Sequence, residues 1–75
     1  MNKLAINIAI ALEDAKDKKN EKVKIEGHKE ASKCFYIEIT NDFVNLYIGS
    51  KKEMSMSNTH YDACIIAVFE TYIKF

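Results

Sequence analysis

A chain of 75 residues, of which 48% are hydrophobic and 29% charged, has the composition of one small globular domain, residues 1–75, and not of a disordered segment. Eleven acidic residues balance eleven basic ones, so no net field attracts nucleic acid or an anionic membrane. Every basic residue is a lysine, which excludes the bidentate arginine fork used to read guanine edges and phosphates.

Cysteine usage and the N-terminal residues both favour a cytoplasmic protein. Cys34 and Cys64 are too few for the disulfide framework of a small secreted domain. The apolar run from Leu4 to Leu12 is followed by Glu13-Asp14 instead of a small-residue cleavage site. We therefore expect neither a signal peptide nor a membrane span.

Residues 2–19 are predicted to form a helix, because four alanines and a charged continuation outweigh a short strand-like alternation. One helical stripe collects the apolar residues Leu4, Ile8, Ala11, Leu12 and Ala15. Ile6 and Ile10 lie roughly opposite that stripe. We expect them to pack against the C-terminal helix, which predicts a monomer, and the alternative is that a second copy of the chain covers them.

Residues 33–49 are predicted to fold as a β-hairpin about Asn41-Asp42. The predicted cross-strand pairs are Thr40–Phe43, Ile39–Val44, Glu38–Asn45, Ile37–Leu46, Tyr36–Tyr47 and Phe35–Ile48. Because side chains alternate faces along a strand, one face of this hairpin is entirely apolar and belongs to the core. The core face consists of Phe35, Ile37, Ile39, Val44, Leu46 and Ile48.

The opposite face of the hairpin is more aromatic than a solvated surface requires. It carries Tyr36, Glu38, Phe43, Asn45 and Tyr47. Aromatic patches outside the core usually mark a contact surface, and aromatic side chains dominate binding hot spots. We predict that these five residues bind a partner, although cross-strand aromatic pairs also stabilise a sheet without any partner.

The remaining elements complete an α+β fold. Val23 and Ile25 alternate with polar residues as a half-buried strand, residues 27–32 form a polar connection, and a polar stretch follows the hairpin. The final helix is expected over about 59–74, with Thr59 and Asp62 as a capping box. The predicted order is α-β-β-β-α, a three-stranded antiparallel meander with two helices on one face.

Catalytic and metal-binding patterns are weak. His60 and Cys64 are four residues apart on a helix, but the second pair, His28 and Cys34, does not have the spacing of a zinc knuckle. Neither a nucleophile elbow nor a P-loop is present. We predict a protein that is not an enzyme and that uses no metal and no cofactor.

The layout resembles the double-stranded RNA-binding domain. The resemblance is carried by Gly27-His28, by the second strand 35–39, and by Gly49-Ser50-Lys51-Lys52-Glu53 ahead of the final helix. It implies His28, Lys51 and Lys52 as RNA contacts. The family's third lysine is missing, since Met54-Ser55 follows, so nucleic acid is the alternative partner and not the first choice.

The chain also resembles the small phage-encoded anti-CRISPR proteins that inhibit Cas9-type nucleases. The shared features are Met1-Asn2, the strand Val23-Lys24-Ile25-Glu26-Gly27, the turn Asn41-Asp42 and a helix from Thr59. The resemblance implies a phage-encoded inhibitor that evades a host defence, with a CRISPR effector nuclease as its larger protein partner. With no net negative charge, occlusion through the outer sheet face is favoured over mimicry of DNA. A small homodimeric adaptor is a further alternative.

Overall fold

The computed structural model describes residues 3–30 and 33–73, with residues 28–30 described in the backbone alone. It contains α1 (Lys3–Asp17), β1 (Val23–Glu30), β2 (Lys33–Ile39), β3 (Phe43–Ile48), β4 (Lys51–Ser57) and α2 (Asp62–Ile73). The strands form one antiparallel sheet in the order β1-β2-β3-β4. The α+β class is confirmed, whereas the prediction of three strands is one strand short.

The register predicted for the β2–β3 hairpin is confirmed. Ile37 lies opposite Leu46 and Glu38 opposite Asn45. At the turn, the backbone N–H of Thr40 donates a hydrogen bond of 2.8 Å to the carbonyl of Phe43. The inner face of this hairpin is buried apart from Ile48, which packs against the edge of the core.

Residues 51–57, predicted to be an irregular polar stretch, form the fourth strand. Gly49 and Ser50 make the two-residue turn that leads into it, and Gly49 has the positive φ (61°) that such hairpin turns need. The strand then ends against the neighbouring turn, because the Asn58 side-chain amide donates a 2.6 Å hydrogen bond to the Asn41 carbonyl. Met54 and Met56 of this strand pack against the core.

Strand β1 is longer and less regular than predicted. It continues through Gly27 to Glu30 instead of giving way to a loop. Lys24 is paired with Tyr36 and Lys29 with Cys34, so four residues of β1 lie against a single residue of β2. Gly27 has a φ of 80° within this irregular segment, a backbone conformation that residues other than glycine rarely adopt.

One core joins the helices to the sheet. Its buried residues are Leu4, Ile8, Ala11, Leu12, Ala15, Ile25, Phe35, Ile37, Ile39, Val44, Leu46, Ile65, Phe69 and Ile73. The first helix therefore contributes more buried residues than the second. The second helix begins at Asp62 and not at Thr59, so the capping box is wrong: Thr59 lies in a turn with its hydroxyl 2.9 Å from that of Ser57.

The predicted packing of Ile6 and Ile10 against the C-terminal helix is also wrong. Ile6 is 40% exposed and Ile10 is 61% exposed. The second helix runs beside Ala5 and Ala9 and therefore leaves the two isoleucines uncovered. The structure places them on the side of α1 that points away from the sheet.

Candidate partner-binding site

The five residues predicted to bind a partner lie on the sheet face that points away from both helices, which we call the outer sheet face. Tyr36 is the cross-strand neighbour of Tyr47, and Glu38 is the neighbour of Asn45. Phe43 lies at the end of this face, opposite Ser57 of the adjacent strand. Phe43 is 49% exposed, whereas Tyr36, Glu38 and Tyr47 are half-buried.

Polar side chains from three strands are joined by hydrogen bonds at the centre of the face. One carboxylate oxygen of Glu38, Oε1, accepts a hydrogen bond of 3.0 Å from the Asn45 amide and one of 3.1 Å from the Tyr47 hydroxyl. The Ser55 hydroxyl donates to the amide oxygen of Asn45. Asn45 is only 4% exposed, so these bonds keep a buried amide satisfied.

The Tyr47 ring is held from its other side by a lysine. The ammonium of Lys22 lies 4.1 Å from the ring centroid, within the range of a cation–π contact. Burial, together with the hydrogen bond to the Glu38 carboxylate, raises the pKa of the Tyr47 hydroxyl. Tyr47 is thus a neutral donor with a restrained ring, and its orientation is set before any partner arrives.

Lysines of the two neighbouring strands lie beside the tyrosines of the outer sheet face. Lys24 is paired with Tyr36 and Lys52 with Tyr47, so both lysines share the face with those rings. Lys22 is a third lysine on this face, with its ammonium over the Tyr47 ring. A partner that covers this face therefore meets aromatic rings within a rim of lysines.

The partner-binding site predicted from sequence does not include Ser55, Lys22 or Lys24, and Lys52 is predicted there only as an RNA contact. Ser55 and Lys52 belong to β4, and the signal for that strand was the Gly49-Ser50 turn between two alternating segments. In the sequence, Lys22 and Lys24 alternate with Val23 and Ile25, which predicts only that the two lysines are solvated. Their contact with the tyrosines depends on the register between β1 and β2, which the irregular segment after Lys24 obscures.

The two lysines of the RNA-binding alternative do not lie directly ahead of the final helix, where the resemblance placed them. Lys51 and Lys52 begin β4, and α2 does not start until Asp62. Lys51 lies 3.7 Å from the Glu53 carboxylate in an exposed ion pair. His28 belongs to β1, and its side chain lies outside the described residues.

Apart from the outer sheet face, the structure has a cleft where the two helices approach the β2–β3 hairpin. It has a volume of about 270 Å³, and its walls include His60, Asn58 and the ion pair between Lys16 and Asp62. The charged groups of this cleft neutralise each other. Among residues 3–27 and 33–73, whose side chains the structure describes, no three His, Cys, Asp or Glu side chains are grouped to hold a metal ion.

Neither of the helices described is long and apolar enough to cross a lipid bilayer. Comparison of the chain with protein-family models, with curated proteins and with solved structures finds no match in any of the three.

Proposed function

We propose that this chain is a non-catalytic inhibitor that binds a larger protein through the outer sheet face and blocks it by occlusion. The observation that carries the proposal is the hydrogen-bonded group of Glu38, Asn45 and Tyr47 between aromatic side chains. Side chains that are already held in place lose little conformational entropy on binding. A face of this kind favours tight and specific association over catalysis.

The chemistry of the face describes the surface that would complement it. Phe43 is the exposed apolar anchor, and an aromatic ring of this kind gains most when a partner pocket excludes water from it. Lys24 and Lys52 lie at the rim, where charge steers the encounter and selects the partner. The complementary surface is therefore an apolar pocket with acidic groups around it.

The distribution of acidic residues supports occlusion and not imitation of a DNA backbone. Glu13 and Asp14 lie on α1, on the far side of the molecule from the outer sheet face. Glu13 lies 3.1 Å from Lys16 of α1, and Asp14 lies 3.4 Å from Lys18, which follows the helix. Following the resemblance to anti-CRISPR proteins, we propose a nuclease effector of a host defence system as the class of partner, and a phage or another mobile element as the source.

The test uses the full chain as bait against purified defence nucleases, with affinity and nuclease activity as the two readouts. We expect Phe43→Ala to weaken binding by about 2 kcal/mol or more, roughly thirty-fold, as truncation of a hot spot does. The matched control is Tyr72→Ala, since Tyr72 is an aromatic residue of similar exposure (51%) on α2. If Tyr72→Ala abolished inhibition and Phe43→Ala did not, the outer sheet face would not be the binding surface.

The competing RNA-binding function is separated by its dependence on salt. Phosphate contacts make affinity fall steeply as salt rises, whereas an aromatic protein interface is far less sensitive. Near physiological salt we expect no binding to duplex RNA that depends on Lys51 and Lys52. The double variant Lys51→Glu/Lys52→Glu tests that dependence. Micromolar or tighter binding with that lysine dependence would favour the RNA-binding alternative.

A further inference from the structure

The side of α1 that points away from the sheet carries a line of four exposed residues, which we call the α1 ridge. In order they are Lys3, Ile6, Ile10 and Glu13. Steps of three and four residues place these side chains in one row along a helix. The row has a cation at one end, two isoleucines in the middle and the Glu13 carboxylate at the other end. That carboxylate lies 3.1 Å from Lys16 of its own helix and remains 72% exposed, so it is open to a second cation.

We propose that a second copy of this chain binds the α1 ridge in the antiparallel direction, about a two-fold axis. With Ile6 against Ile10 of the second copy, Lys3 falls opposite its Glu13, because Lys3 precedes Ile6 by three residues and Glu13 follows Ile10 by three. The two-fold axis repeats both contacts. An interface of this kind needs one self-complementary patch, and the ridge has that symmetry in its charge as well as its apolar part.

An apolar groove beside the ridge extends the surface that a second copy would cover. The groove lies between the helices, has a volume of about 320 Å³, and is lined by Ala5, Ala9, Ala63, Ile66, Ala67 and Glu70. One helix pair alone is a small contact, and stable dimers bury about 1,000 Å² or more. Small side chains also let another helix approach closely, so the groove adds area on the same side of the molecule.

The proposed dimer is independent of the proposed function. The ridge and the outer sheet face lie on opposite sides of the molecule, so dimerisation leaves two outer sheet faces open. Two such faces on one particle would bind a repeated or dimeric partner with increased avidity.

Charge reversal at the ridge provides the sharpest test. Lys3→Glu and Glu13→Lys each place like charges opposite one another in the proposed dimer, whereas the double variant restores complementary pairs with the charges exchanged. Sedimentation equilibrium of the full chain from micromolar to millimolar concentrations measures the dissociation constant. We expect each single variant to weaken dimerisation at least three-fold and the double variant to recover most of that loss.

A second variant examines the apolar centre of the ridge. Ile6→Lys with Ile10→Lys should give a monomer whose circular dichroism matches that of the wild type, because both side chains are already exposed. Tyr72→Lys is the matched control, since it adds a charge at an exposed residue of the other helix, and it should remain a dimer. A monomeric wild type at millimolar concentration, or a dimer that none of the ridge variants affects, would overturn the proposal.

Discussion

The ammonium of Lys16 lies 2.6 Å from the Asp62 carboxylate, so an ion pair joins the last turn of α1 to the first turn of α2. The same ammonium lies 3.1 Å from Glu13. Hydrogen bonds to Asp62 and then to Glu13 raise the pKa of Lys16. Because the groups remain about half exposed, solvent screens the pair and limits its contribution to stability.

We expect Asp62→Asn to lower the free energy of unfolding by about 0.2–1 kcal/mol at low salt. The loss should shrink as salt is added, and urea denaturation at two ionic strengths measures both effects. A group with a raised pKa contributes stability below its unfolded pKa and loses it as pH rises through the folded value. The contribution should therefore disappear above the ordinary lysine pKa. Asp14→Asn is the control, because it removes a local pair with Lys18 that does not join the two helices.

Tyr47 should ionise only at alkaline pH above the ordinary range for tyrosine, since burial and Glu38 both disfavour the phenolate. In a titration followed by phenolate absorbance, Tyr47→Phe should remove the transition of highest pKa, and Tyr61→Phe should leave that transition in place. Stability from the neutral hydroxyl is present below the unfolded pKa and is lost as pH rises through the folded pKa. Persistence of the highest transition in Tyr47→Phe would contradict this assignment.

The buried amide of Asn45 should contribute measurably to the free energy of unfolding. Asn45→Ala removes a buried link between Glu38 and Ser55, and we expect a loss of about 1–3 kcal/mol. Ser55→Ala should cost less, because it removes a single hydroxyl. A double-mutant cycle of the two, followed by urea denaturation, should show coupling of about 0.5 kcal/mol or more. Strict additivity would show that the two side chains act independently.

Gly27 is predicted to be intolerant of a side chain because of its backbone conformation and not because of crowding. A Cβ placed there meets Asn7 at 3.7 Å, an ordinary contact, whereas the φ of 80° disfavours any L-residue. Gly27→Ala should lower stability by about 1–2 kcal/mol. Asn20 has a φ of 67°, so Asn20→Gly should be tolerated and serves as the control. A neutral Gly27→Ala would mean that β1 changes conformation at little cost.

Sequence reasoning succeeded where a single periodicity decided the structure. In β2 and β3, alternation between Phe35 and Ile48 leaves one register that places the aliphatic side chains on a common face, and that register is observed. The strand β4 was missed because Lys51, Lys52 and Glu53 open it, and only Met54 and Met56 carry its apolar alternation. The periodicity of α1 separated its inner and outer sides correctly.

Periodicity does not, however, say which neighbour covers a side chain. The sequence predicts that Ile6 and Ile10 contact α2, but α2 lies beside Ala5 and Ala9. The centre of the candidate site was hidden for a related reason. The hydrogen bond between Asn45 and Ser55 exists only if β4 pairs with β3. Because the sequence does not predict β4, it does not predict this partner of the buried amide.

The order of the sheet has a consequence for the folding reaction. Each strand pairs with the strand next to it in the chain, so the sheet can form by successive local hairpins with little loop-closure entropy. The contact between α1 and α2 is different, since the pair of Lys16 and Asp62 closes a loop that contains the whole sheet. We therefore expect the meander to form early and the two helices to join last, which makes their junction the part of the molecule that opens first.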